Sequence, residues 1–173
     1  ELQYLLQSDD CSLVSLDQSF TPVDGYGIVQ SLKSNRSLTS LDLMNVPKIQ
    51  TMYESICTML LDGSSRTKLG YLRCDAFDLH EGQRSLSLKE ELISAVAMRL
   101  LAALLRNNFT LTELDLTACD IEKEGVTALA KALEFNSVLS VLRLSYNPAI
   151  DEPSKAVIRE AVAKFRPTMN LDL

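Results

Sequence analysis

Residues 111–138 read LTELDLTACDIEKEGVTALAKALEFNSV, and residues 139–167 read LSVLRLSYNPAIDEPSKAVIREAVAKFRP. The two stretches are 28 and 29 residues long and run in one frame. Leu111, Leu114 and Leu116 fall on Leu139, Leu142 and Leu144, and one inserted residue brings Ile121 onto Ile150. The closing TMNLDL starts the frame again, with Leu171 and Leu173 in the same two places. Upstream, residues 83–110 form another 28-residue stretch, QRSLSLKEELISAVAMRLLAALLRNNFT. Its Leu86 and Leu88 match Leu114 and Leu116, its Leu101 and Leu105 match Leu129 and Leu133, and its Asn108 matches Asn136. LTSLDLMN from Leu38 opens a unit of about 31 residues, and LVSLDQSF from Leu13 one of about 25.

The frame is weakest over LGYLRCDAFDLHEG, from Leu69 to Gly82. Two readings are open there. The stretch is a truncated unit, or Leu69, Leu72 and Cys74 form the true strand and Asp78 to Lys89 is a long loop that takes Ser85 and Ser87 out of the sheet. The joints between units repeat as well. Leu-x-x-Asn-x-x-Leu recurs at Leu32/Asn35/Leu38, Leu105/Asn108/Leu111 and Leu133/Asn136/Leu139.

Each clear unit opens with Leu-x-x-Leu-x-Leu. Leucines two apart lie on one face of an extended strand, which leaves Glu113, Asp115 and Thr117 on the other. The second half of each unit has helical spacing. Leu100, Leu101, Leu104 and Leu105 make one apolar stripe, as do Leu129, Ala132 and Leu133. Ala156, Val157, Ala161, Val162 and Phe165 are expected to continue it in the last unit. Asp151 with Pro153 close behind suits a helix start. One strand–helix unit cannot bury its own apolar face, but stacked neighbours can. The expected fold is α/β: a curved solenoid of about six repeats, parallel strands on the concave side and helices on the convex side, one domain over 1–173. It is expected to be regular at 83–173 and irregular near 63–82.

Composition agrees with an ordinary folded domain, since 46% of the 173 residues are hydrophobic and 23% charged. Leucine supplies 31 of them, as one repeated packing solution requires. A formal charge of -6, with Lys and Arg scattered, excludes a nucleic-acid stripe and disfavours an anionic membrane surface. No apolar run approaches the roughly 20 residues that span a bilayer. Cys11, Cys57, Cys74 and Cys119 are far apart and His80 is the single histidine, so no metal-ligand spacing exists. Buried free thiols are expected, and with them a reducing, cytoplasmic setting. The chain opens on Glu1 rather than Met, which leaves room for an upstream segment.

LTELDLTACDI, LSVLRLSYNPAI and the asparagine joints resemble the leucine-rich-repeat family, in its ribonuclease-inhibitor-like class with 28- to 29-residue repeats. The resemblance is strong from Gln83 to Leu173, moderate from Leu13 to Asp62 and poor around Gly63 to Gly82. Gln18 departs from it, being polar where a core leucine belongs. The resemblance implies that Cys119 and Asn147 bond backbone groups in the turn after the strand. It also implies protein binding, mostly through the concave face, but fold alone selects no partner.

The concave-face positions are Ser15, Asp17, Ser40, Asp42, Tyr71, Arg73, Ser85, Ser87, Lys89, Glu113, Asp115, Val141, Arg143, Asn170 and Asp172. Asp42, Tyr71, Arg73, Ser87, Lys89, Glu113, Asp115, Val141, Arg143 and Asp172 are the leading contact candidates. Tyr71 and Arg143 stand first among them, because Tyr and Arg are enriched at interface hot spots. A solvated sheet face that touches nothing is the plain alternative.

Catalysis has no support. His80 has Asp78 and Glu81 nearby but no positioned nucleophile. Glu90/Glu91 and Asp151/Glu152 read as solvated helix starts, without EF-hand spacing. Asn35-Arg36-Ser37 and Asn108-Phe109-Thr110 match the glycosylation sequon, yet both asparagines belong to the repeated joint. No Walker loop, GxGxxG or GxSxG occurs, and Gly63-Ser64-Ser65 reads as a loop.

The expected function is a protein-interaction module without catalysis, cofactor or metal. A structural subunit locked into a ciliary or organellar assembly is the chief rival, and a sensing domain of a larger signalling protein the second. The final strand leaves an open C-terminal repeat, to be covered by further chain or by a partner.

Overall fold

The computed structural model describes residues 2–8, 11–20, 22, 24–47, 50–61 and 66–173; the expected loop at Gly63–Ser65 lies outside them. The chain forms two compact units, Glu1–His80 and Glu81–Leu173.

The N-terminal unit runs α1 (Leu2–Gln7), β1 (Ser15–Asp17), α2 (Gly25–Ser34), β2 (Ser40–Asp42), α3 (Gln50–Leu61), β3 (Tyr71–Cys74) and β4 (Phe77–Leu79). Strands β1, β2 and β3 are parallel, with Leu16, Leu41 and Leu72 side by side. Strand β4 turns back antiparallel on β3, Cys74 opposite Phe77, through the two residues Asp75 and Ala76. The C-terminal unit runs β5 (Ser85–Ser87), α4 (Ala95–Leu105), β6 (Glu113–Asp115), α5 (Lys123–Leu133), β7 (Val141–Arg143), α6 (Glu152–Phe165) and β8 (Asn170–Asp172). Its four strands are all parallel, with Leu86, Leu114, Leu142 and Leu171 in register. The molecule is thus a mixed α/β protein, with six helices and largely parallel strands among the described residues.

Neither reading of Leu69–Gly82 is complete. Tyr71–Cys74 is a strand in the frame of Leu69, yet Ser85–Ser87 is a strand too and opens the second sheet. The long loop is therefore wrong. The stretch is a truncated unit in which a hairpin stands where a helix would be.

The core is aliphatic. Leu100, Leu101, Leu104 and Leu105 are fully buried, as are the leucines at the strand centres of β2, β3, β6 and β7. The α6 stripe is not the expected one. Ser154, Ile158, Ala161 and Val162 face inward, while Ala156 and Val157 are exposed. Asp151 caps this helix, its Oδ1 accepting from the Ser154 N–H at 2.9 Å and the Ser154 hydroxyl at 2.5 Å. Polar Ser154 is thereby satisfied in an inward position. Asp24 and Ser94 cap α2 and α4 in the same way.

The joint asparagines tie turn to turn. Asn136 Oδ1 accepts from the N–H groups of Val138 and Leu139, and its Nδ2 donates to the carbonyls of Leu105 and Asn108 one unit earlier. Asn35 accepts from the Leu38 N–H and donates to the Leu6 carbonyl. Asn147 Oδ1 accepts from the N–H groups of Cys119 and Ile121, while its Nδ2 donates to the Leu116 and Leu144 carbonyls. The Cys119 thiol donates to the Leu88 carbonyl at 2.8 Å. Both side chains thus reach into the preceding unit's turn as well as their own.

Three residues past a strand end the backbone enters the left-handed region five times, at Phe20, Asn45, Glu90, Ala118 and Tyr146. At three of these the N–H donates to the next unit: Phe20 to Met44, Glu90 to Thr117 and Ala118 to Ser145, at 2.9–3.0 Å. That conformation costs a residue with a side chain on the order of 1–2 kcal/mol, and the inter-unit hydrogen bond offsets part of it. No helix among the described residues is long and apolar enough to cross a membrane.

Candidate functional site

Alternation along each strand puts the Leu side chains inward and places the flanking residues in rows across the sheet. In the N-terminal unit one row is Ser15, Ser40 and Tyr71, and the next is Asp17, Asp42, Arg73 and Asp78. In the C-terminal unit the rows are Ser85, Glu113, Val141 and Asn170, then Ser87, Asp115, Arg143 and Asp172. The sequence candidates are brought together row by row, separately in each unit. All are exposed or half-buried except Tyr71. Lys89 is exposed in the turn just after β5.

Tyr71 is a correction. It occupies the expected strand position, opposite Ser40, but is only 7% exposed. Its ring carries a large apolar surface whose burial is favourable, unlike the small polar Ser15 and Ser40 of the same row. It offers little for a partner to grip.

Both arginines of the face are engaged. Arg73 Nη1 lies 2.7 Å from Asp42 Oδ2, and its Nε lies 3.1 Å from Asp78 Oδ2. The hydrogen bond and charge of Asp78, followed by the charge of Asp42, raise the guanidinium further above its usual pKa. Arg143 Nη1 pairs with Glu113 Oε1, and that bond, with Asp115 and Asp172 adding their charge, raises Arg143 in the same way. His80 is exposed, with Nδ1 3.3 Å from Asp78 Oδ1.

The aspartates at the strand ends have a local task that the sequence reading missed. Asp17, Asp42 and Asp115 each turn Oδ1 onto the N–H two residues on, at Ser19, Met44 and Thr117. These are Asx turns, and the signal was present as a recurring Leu-Asp at the strand end. The hydroxyl and N–H of Ser19 lower the Asp17 pKa. Partial burial works against the Asp115 carboxylate, but the bonds from Thr117 and the charges of Arg143 and Lys89 hold it below the ordinary value.

Other candidates resolve into structure. Asn35 and Asn108 of the two sequons are 2% and 0% exposed, with the side chains committed to the joints. Glu152 pairs with Lys155 and Arg159 on α6. None of the four cysteines is in a disulfide; Cys57, Cys74 and Cys119 are buried, but Cys11 is only half-buried. Among the described residues no three His, Cys, Asp or Glu side chains gather as metal ligands. The sequence reading also passed over two exposed aromatics, Phe20 at 75% and Tyr146 at 83%, both on left-handed turn residues.

Comparison with known proteins adds five likenesses. Residues 107–130 match the Leucine Rich repeat family. Over 173 aligned residues the chain is 30% identical to the Homo sapiens Centrosomal protein of 78 kDa, covering 90% of this chain and 24% of that protein. The Mus musculus counterpart is 29% identical over 171 residues, covering 92% and 22%. The chain therefore spans about a quarter of the length of the curated relatives it matches. Among solved structures, the Caenorhabditis elegans tropomodulin C-terminal domain superposes with a TM-score of 0.44 at 14% identity, covering 95% of this chain and 91% of that one. Leiomodin-1 actin-binding site 2 gives a TM-score of 0.42 at 18% identity, covering 95% and 90%.

Proposed function

The chain is a leucine-rich-repeat protein, and we propose that it is a non-catalytic module that holds another protein on its strand-lined face. In this reading the units are runs of one solenoid-forming repeat, about six in the chain, with the strands on the concave side. The observation that carries the reading is the set of side chains in register on successive strands. Asp42 and Arg73 in one sheet, and Asp115, Val141, Arg143 and Asp172 in the other, form accessible rows of mixed charge on a fixed backbone. Rigid rows of this kind suit complementarity of shape and charge, with ordering entropy already spent.

The test is site-specific photocrosslinking in cells. A benzoylphenylalanine at Val141 or Ser40 is expected to trap a partner protein, while the same probe at Val157, exposed on α6, is expected to trap none. Crosslinks only from Val157 would move the interface to the helices.

The likeness to proteins named for the centrosome supports a second reading, that of a subunit built permanently into an organelle assembly. A tagged chain would then concentrate at centrosomes. Light scattering after size exclusion separates the two: a stable monomer favours the reversible module, and a chain soluble only within a large complex favours the subunit.

A further inference from the structure

We propose that the strand face of the N-terminal unit receives a lysine- and arginine-bearing segment of the partner, an inference that rests on the docking reading above. Asp17, Asp42, Arg73 and Asp78 stand in one row on four adjacent strands, three carboxylates to one guanidinium. Arg73 is held from both sides, by Asp42 and by Asp78, so its charge is answered within the row. An anionic partner group would have to displace one of these carboxylates. A cationic group meets the opposite situation, since the row keeps two net negative charges. The remaining groups on this face do not change the sign: Ser15 and Ser40 are uncharged, Tyr71 is buried, and His80 lies against Asp78.

The turns that Asp17 and Asp42 make do not by themselves need a charged group. Asp17 and Asp42 are direct partners across β1 and β2, and like charges directly opposite destabilise a sheet. Their turn duty needs only the Oδ1 acceptor. Asparagine supplies the same acceptor and the same turn without the repulsion. A cation placed between Asp17 and Asp42 would turn the repulsion of that pair into attraction. Phe20, three residues past Asp17 in the chain, exposes its ring on a left-handed backbone. An exposed ring on the same turn as Asp17 is a group that a guanidinium or the stem of a lysine can use. The C-terminal unit has Ser87 where this row has Asp17, and Lys89 two residues on, so its excess of negative charge is smaller.

The experiment is fluorescence anisotropy on the full chain with a labelled short peptide alternating Lys and Ser, against the same peptide with Glu for Lys. The Lys peptide is expected to bind with an affinity that falls as salt rises, and the Glu peptide not to bind. Asp17→Asn with Asp78→Asn keeps the side-chain acceptors and removes the two excess charges. This pair is expected to weaken the Lys peptide about tenfold. Glu54→Gln with Glu160→Gln removes two charges from exposed helix positions and is expected to change binding less than about twofold. No binding of the Lys peptide, or equal loss in both pairs, overturns the inference. Failure of the docking reading looks different. If the probe at Ser40 traps a partner whose binding ignores both salt and the Asp17/Asp78 pair, docking stands and the basic segment does not.

Discussion

Asn136 donates its side-chain amide to the carbonyl of Asn108, the residue that holds the same place one unit earlier, at 3.0 Å. The same nitrogen reaches the Leu105 carbonyl at 2.7 Å, and the oxygen takes the N–H groups of Val138 and Leu139. Asn136 is buried, so its removal strands backbone groups away from water. Each unsatisfied buried group costs about 1–3 kcal/mol. Asn136→Ala is expected to lower unfolding free energy by about 3 kcal/mol, read from urea melts. A loss under about 1 kcal/mol would mean that the turns hold without the bridge.

Gly125 is set by the neighbouring helix. A Cβ there would lie 2.8 Å from Met98 Cγ and 2.9 Å from Ile121 Cγ2. Alanine in place of glycine ordinarily gains up to about 1 kcal/mol in a helix. Overpacking costs about 1–3 kcal/mol, so Gly125→Ala is expected to destabilise by about 1 kcal/mol net. Thermal melts in a Met98→Ala background check the cause, because the penalty should shrink there.

The four thiols are expected to react unequally with a disulfide reagent. Cys11 accepts hydrogen bonds from the Ser37 hydroxyl and the Asn35 amide, and the Ser37 bond is the largest cause of its lowered pKa. Burial pushes the thiols of Cys74 and Cys119 up. One thiol should therefore react promptly with the folded chain, at a pH below the usual thiol range, and the rest only on unfolding. Loss of the fast phase in Cys11→Ser confirms the assignment; its persistence would assign it to a buried cysteine.

Acid should loosen the cap of α6. The Ser154 hydroxyl and then its N–H hold Asp151 below the ordinary aspartate pKa. A group lowered by folding contributes stability that is present above its unfolded pKa and lost as pH falls through the folded one. The melting temperature should fall on acidification below about pH 4. Asp151→Asn should flatten part of that slope while leaving the rest, to which Asp17 and Asp115 contribute with the same sign. An unchanged slope in Asp151→Asn would remove the cap from the acid response.

Much of this architecture was legible because the leucines do one job at one spacing. Leu86, Leu114, Leu142 and Leu171 are matched by frame alone and prove to be register partners. Leu41 and Leu72 pair likewise across the uneven spacing of the early units. What escaped lies where type and direction part company. Phe77–Leu79 is a strand of three residues, too short to show a period. Nor does strand alternation announce the burial of Tyr71. Val157 is apolar but points outward, and Ser154 is polar but inward because Asp151 satisfies it. At the strand ends, the aspartates read as surface charge also form the turns.

The hairpin of β3 and β4 also bears on how such a chain can be lengthened or shortened. Between β6 and β7 backbone groups at matching positions link one turn to the next, as when Leu116 N–H donates to Arg143 and Ala118 N–H to Ser145, and the Asn147 side chain adds its own bonds to the turn after β6. A whole repeat duplicated or deleted there would re-form the same bonds. At β3 the pattern changes, since Asn45 N–H donates to the Asp75 carboxylate rather than to a backbone carbonyl, and β4 runs backwards. Insertion of a standard repeat after β3 would meet an antiparallel neighbour in place of a parallel one. Growth by duplication is therefore open within the C-terminal run and closed at the hairpin, which makes the hairpin a fixed landmark for aligning distant relatives.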